Sequence, residues 1–194
     1  MDRIKKDFTT LTLVMIPVAV AINVAVGQLV ILLKLPLYLD SIGTVLVGLL
    51  AGPWAGAVTG IISNLIWSIT GLFPQAWAWA HVAAVVGLLA GFFGRFIKRN
   101  YAWWLVGGLL TGAVAAVLSA PVSAALFGGV TGTGQDFLVG LFRATGASIV
   151  EATLGQGIVS DPLDKLISFL LVFLVVLGLP KRFLLRFPRS ENVV

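Results

Sequence analysis

Apolar residues run through this chain in long unbroken stretches. Between Asp40 and Arg95 lie 54 consecutive residues without Asp, Glu, Lys or Arg, more than twice the roughly 20 that one membrane-spanning helix needs. That stretch has to cross more than once. In hydrocarbon every backbone N–H and C=O needs an internal partner, which leaves helices or a closed barrel, and the absence of period-two alternation selects helices. Proline and glycine divide the apolar sequence into six expected spans, at residues 9–33, 42–51, 54–72, 77–94, 102–127 and 162–179. The shortest is entered through Pro36 and closed by Gly52-Pro53. The first follows a basic start, but it is longer than a signal core and has no clear cleavage site, so it reads as a retained helix.

Charge supports this count. Arg3, Lys5, Lys6, Arg95, Lys98, Arg99, Lys181, Arg182, Arg186 and Arg189 all fall on one side of a six-span chain. Lys34, Arg143 and Lys165 fall on the other, with Asp40, Asp136, Glu151, Asp161 and Asp164. Cations near short loops stay cytoplasmic, so both termini are expected there. Without the short second crossing this asymmetry collapses. A seventh crossing through 137–159 would take Arg143 and Glu151 into hydrocarbon, at a cost of a few kcal/mol each. Residues 128–161 therefore read as an outer cap, partly helical and glycine-rich at its start. The expected architecture is an all-α integral membrane protein, one domain over residues 1–194.

Composition narrows the chemistry. At 59% hydrophobic and 11% charged, the chain has too little polar surface for a water-soluble globule of this length. There is no cysteine, hence no disulfide or thiolate metal ligand. The net charge of +5 sits at the membrane edges and reads as topology and headgroup contact, with no nucleic acid implied. No nucleotide-binding glycine loop, hydrolytic triad or metalloprotease set is present, so the chain is read as a non-enzyme without cofactor.

Several motifs carry two readings. Small residues four apart at Gly52/Gly56/Gly60, Gly87/Gly91 and Gly108/Gly112 suit close helix packing. Ala21 and Ala25 on the first helix form a similar face that suits either packing or another subunit. Asp161-Pro162-Leu163-Asp164 reads as a helix start, with Asp161 as N-cap, Pro162 at the first helical position and Lys165 paired to Asp161, or else as ligand contact. His81 is the single histidine and has no cluster around it for a metal. Trp77-Ala78-Trp79-Ala80-His81 suits an interfacial belt or a pocket wall. Asn64 lies inside a span and must find a hydrogen-bonding partner. Arg143 and Glu151 suit the wet face of a cap or a site.

Taken together, these features resemble the substrate-binding S components of energy-coupling factor (ECF) transporters, importers of vitamins and related micronutrients. The resemblance rests on the order of Ala21-x-x-x-Ala25, Leu37-Tyr38-Leu39-Asp40-Ser41-Ile42-Gly43-Thr44, Ala51-Gly52-Pro53-Trp54-Ala55-Gly56-Ala57 with Ile61 to Asn64, and Ser160-Asp161-Pro162-Leu163-Asp164-Lys165. It covers nearly the whole chain, though no single motif is specific. It implies a six-helix bundle in the cell membrane that captures a vitamin-like ligand outside and works with a transmembrane T subunit and two ATPase subunits. The Ala21/Ala25 face matches the family's contact with the T subunit, while the His-bearing N-terminal motif of the metal importers is missing. The expected pocket set is Asp40, Asn64, Trp77, His81, Gln135, Arg143 and Gln156. Competing readings are a self-contained secondary transporter, which calls for buried coupling carboxylates that the spans are not expected to hold, and a membrane scaffold without a pocket.

Overall fold

The computed structural model describes residues 2–97 and 101–193. Lys98 and Arg99, two of the cations used to orient the chain, lie outside them. Among the described residues the protein is all-helical. A short α1 (Asp2–Lys5) precedes α2 (Thr10–Leu32), α3 (Ile42–Ala51), α4 (Pro53–Ile69), α5 (Ala80–Ile97), α6 (Ala102–Phe127), α7 (Asp136–Ala144), α8 (Ile149–Gly178) and α9 (Lys181–Leu184). A 3-10 turn at Ala76–Trp79 leads into α5. Three helical segments, Thr10–Leu32, Ala76–Ile97 and Ala102–Phe127, are long and apolar enough to cross a membrane. This is a membrane protein.

The centre of the bundle is α3. Eight of its ten residues are buried, so the helix is enclosed by its neighbours. Val45, Val47 and Ala51 are fully buried, and Leu49 and Leu50 nearly so. Ten residues rise only about 15 Å, half the thickness of a hydrocarbon core. Glycines then let the neighbours close in. A Cβ on Gly87 of α5 would stand 2.2 Å from the Gly56 carbonyl carbon of α4, and one on Gly112 of α6 would stand 2.3 Å from the Asp161 carbonyl oxygen of α8. These backbones touch directly, as small-residue interfaces in membranes allow. Asn23 of α2 fastens three helices together: its carboxamide oxygen accepts the Gly43 N–H at 2.7 Å, and its nitrogen donates to Thr44 Oγ1 and Ser63 Oγ, each at 2.9 Å.

The two ends of the bundle are closed differently. At one end Asp7, fully buried, accepts the Trp54 N–H at 3.2 Å and the Arg189 guanidinium at 3.1 Å, while the Arg189 N–H reaches Leu50 O at 2.9 Å. The first and last segments of the chain thus meet over the α3–α4 junction. Gly52 holds that junction with φ 125°, and a Cβ there would lie 2.3 Å from the Asp7 carboxylate. The other end carries the segment 33–41, the turn 70–79 and the glycine-rich 128–135 with α7. Lys34 Nζ bonds Gly132 O at 2.6 Å and Gln75 Nε2 bonds Thr131 O at 2.5 Å, lacing these three segments into a roof.

One helix differs from expectation. Pro162 does not open a helix but lies inside the 30-residue α8, so Asp161 is not its N-cap. That role belongs to Ser148, whose hydroxyl accepts the Glu151 N–H while the Glu151 carboxylate accepts the Ser148 N–H at 2.7 Å, a reciprocal capping box. A bundle tolerates an interior proline because neighbouring helices support the interrupted turn, and here α6 packs against it through Gly112.

Candidate functional site

Below the roof lies a cavity of about 70 Å³. Its walls come from α4, α5, α6 and α8 together with the segment 33–41 and the roof. Trp67, Phe73 and Trp79 supply aromatic faces, while Tyr38, Asp40, Ser41, Asn64, Asp161 and Lys165 supply polar groups. Few polar positions in a largely apolar hollow is the usual make-up of a small-molecule site. The rings form a ladder: Trp67 and Phe73 are 5.2 Å apart, Phe73 and Trp79 stack at 6.3 Å, and Trp79 stacks on Phe127 at 5.0 Å.

The polar side of the cavity is organised by α8. Asp161, Asp164 and Lys165 stand at i, i+3 and i+4, so they share one face, and that face points inward. The Asp164 carboxylate accepts the Tyr38 and Leu39 N–H groups at 2.8 and 2.7 Å, fixing a turn in which Leu39 takes a left-handed φ of 48°. Such a backbone costs about 1–2 kcal/mol for a residue with a side chain, and the two charge-assisted bonds offset it. This turn sets Tyr38, Asp40 and Ser41 at the mouth.

Lys165 bonds Asp164 at 2.5 Å and Asp40 at 3.2 Å, not Asp161 as the spacing had suggested. The Asp161 carboxylate instead faces hydroxyls, Ser119 Oγ at 3.2 Å and Ser160 Oγ at 3.4 Å. Asp161 and Asp164 are 4% and 0% exposed. The expectation that the spans bury no acid is therefore corrected: a lysine and a cluster of polar neighbours make burial possible.

The seven residues expected to line one pocket separate into three groups. Asp40 and Asn64 line the cavity. Gln135 and Gln156 are buried beside it and bonded to each other at 3.0 Å, with Gln156 also donating to Ser160 Oγ at 2.7 Å. Trp77 and His81 point outward from the 3-10 turn and the start of α5, and Arg143 lies exposed on α7 with its guanidinium on Ala147 O at 2.7 Å. The 3-10 turn has three residues per turn, so Trp77 and Trp79 point in different directions, and Trp79 lines the hollow while Trp77 is exposed. The expected pocket set leaves out Asp161, Lys165, Tyr38, Trp67 and Trp79, although the Asp161–Asp164 run also reads as a ligand contact and the Trp77–His81 run as a pocket wall. The usable signal for the first two was three ionisable groups on one face of an apolar helix, a pattern that points to function by default.

Ala21 and Ala25 are both exposed on α2. They border an apolar groove whose other wall is Ile62 and Ile66 of α4, with Leu72 at its end. No group of three or more His, Cys, Asp or Glu residues capable of holding a metal occurs among the described residues.

Comparison with known proteins gives a distant relationship. UPF0397 proteins of Staphylococcus aureus strains Newman and USA300 are each 23% identical over 129 residues, 60% of this chain and 70% of theirs. That of strain MRSA252 is 24% identical over the same length. No family model and no solved structure matches the chain. The chain is thus a membrane protein with distant homology to UPF0397 proteins, whose description names no activity.

Proposed function

We propose that this chain is the substrate-capture subunit of an ECF-type importer, binding a vitamin or related micronutrient outside the cell and passing it inward with a T subunit and two ATPase subunits on other chains. The observation that carries this reading is the roofed cavity, which combines aromatic walls with a few polar groups at the end of the bundle remote from the tied termini. A ligand entering there is desolvated against Trp67 and Trp79 and oriented by Asn64, Tyr38 and the α8 polar face.

In this reading α2, α3, α4, α5, α6 and α8 are six crossings. The Asp7–Arg189 contact, which joins residues near the two ends of the given sequence, suits an even number of crossings, and the cations near it favour the cytoplasmic side. The short α3 completes its crossing with the segment 33–41. The exposed Ala21/Ala25 face and its groove are assigned to the T subunit, and the cytoplasmic ATPases supply the energy.

The test is a thermal-shift screen of the purified protein in detergent against a vitamin panel, with titration of each hit. A ligand that binds the folded state alone raises the melt with the logarithm of its concentration over Kd. A saturable submicromolar hit is expected. If no vitamin or precursor shifts the melt while a T subunit does, the scaffold reading takes its place.

The buried Asp161 favours one second reading, a self-contained secondary transporter, since carboxylates at such positions couple ion movement. Uptake by the chain alone in proteoliposomes under an ion gradient would establish it, and uptake only with T subunit, ATPases and ATP would exclude it.

A further inference from the structure

The cavity gathers more carboxyl groups than ammonium groups. Asp40, Asp161 and Asp164 gather around one ammonium, that of Lys165. Two of them hold it, Asp164 at 2.5 Å and Asp40 at 3.2 Å. Asp136, in the roof, is satisfied by the Thr131 and Gly132 N–H groups at 2.8 and 2.7 Å. Asp161 is the exception: it lines the cavity, is 4% exposed, and forms no ion pair among the described residues.

Its hydroxyl partners do not replace a counter-charge. Ser160 Oγ lies 2.9 Å from Gln156 O, closer than its 3.4 Å to Asp161, and Ser119 Oγ is within 3.3 Å of Ala116 O. A hydroxyl has one proton to donate, so each is shared with a carbonyl. A buried carboxylate without a cation is unfavourable, and this one is turned into a hollow. Independently, Ser41 Oγ lines the same hollow, buried and without a hydrogen-bond partner. Trp67, Phe73 and Trp79 line the same hollow, and their ring faces attract cations as well as flat heterocycles.

From this arrangement we infer that the cavity selects a flat heteroaromatic ligand bearing positive charge, with Asp161 as its counter-ion, Ser41 as a hydrogen-bonding partner and the aromatic ladder as its stacking surface. The inference rests on the capture reading of the cavity and names the charge class of what is captured. A ligand whose recognition depends on a carboxylate or phosphate is disfavoured in the same place, because it would add a negative charge beside Asp161 and Asp40.

A matched series tests it: 1-methylnicotinamide, nicotinamide and nicotinate share one ring and differ in charge. Affinities are read on the purified protein from quenching of tryptophan fluorescence, with calorimetry as a check. The cation is expected to bind at least about ten-fold more tightly than the neutral amide, the gain of one charge-assisted contact, and the anion most weakly. Asp161→Asn is expected to bring the cation-to-neutral ratio within about two-fold, in a variant that still melts cooperatively.

Equal or reversed preference in the parent protein overturns the inference, as does an unchanged ratio in a folded Asp161→Asn variant. If none of the three probes saturates, the compound that does bind from the vitamin panel decides. A cationic hit supports the inference. A neutral or anionic hit overturns it and leaves the capture reading standing, whereas no saturable ligand of any kind removes both.

Discussion

The Asn23 carboxamide oxygen holds the Gly43 N–H at 2.7 Å, so a side chain in the middle of α2 satisfies an N–H in the first turn of α3. That turn has no capping side chain of its own, and the first N–H groups of a helix have no partner within it. Asn23→Ala is expected to lower stability by about 1–3 kcal/mol, the cost of a buried donor without an acceptor. A melt of the detergent-solubilised variant that matched the parent would show that α3 is fixed by packing alone.

Packing of α4 on α5 gives a second, paired expectation. Gly87→Ala forces a Cβ into the Gly56 and Ala57 backbone, at 2.2 and 2.4 Å. Backbone cannot yield as a side chain can, so the loss is expected at about 1–3 kcal/mol or more. Gly140→Ala on α7 meets nothing within 4 Å, and there a gain of up to about 1 kcal/mol is expected from helix propensity. Denaturation midpoints that failed to separate these two variants would contradict the close approach.

The capping box at the start of α8 makes a pH-dependent contribution. Hydrogen bonds from Ser148 hold the Glu151 carboxyl below its ordinary value. A depressed folded-state value means that the stabilisation is present above the unfolded-state pKa and is lost as pH falls through the folded one. Parent protein is therefore expected to melt above Glu151→Ala at pH 7, with the gap closing under acid. A gap unchanged down to about pH 3, below the ordinary glutamate range near 4.3, would assign the effect to packing.

The absence of cysteine makes single-cysteine labelling clean. Thr145 lies exposed beyond α7 and Arg186 exposed beyond α9. In intact cells Thr145→Cys is expected to react with a membrane-impermeant maleimide, and Arg186→Cys only after permeabilisation. Labelling of both from the same side would rule out six crossings.

Long apolar helices were legible in the sequence because lipid demands both length and continuity. α3 was legible because Pro36 and Gly52-Pro53 bracket it. Pro162 misled, since a proline at a first helical turn and one inside a supported helix look alike locally, and only the approach of Gly112 across from α6 separates them. The same limit hid the partner of Lys165: Asp161 lies four residues away in sequence, but Asp40 arrives from a distant turn. Trp77 and Trp79 were equal candidates on composition, and the direction of a 3-10 turn decided which one faces the hollow.

Asp7 has one further consequence. Its cation lies 182 residues downstream. At synthesis rates of about 5–20 residues per second, this carboxylate waits about 10–40 seconds for its counter-charge. A nascent chain halted before Arg189 leaves the α3–α4 junction with an unpaired charge, however well its helices have inserted. Insertion and closure are therefore separate events for this protein: its helices can be in place while the α3–α4 junction still lacks its counter-charge.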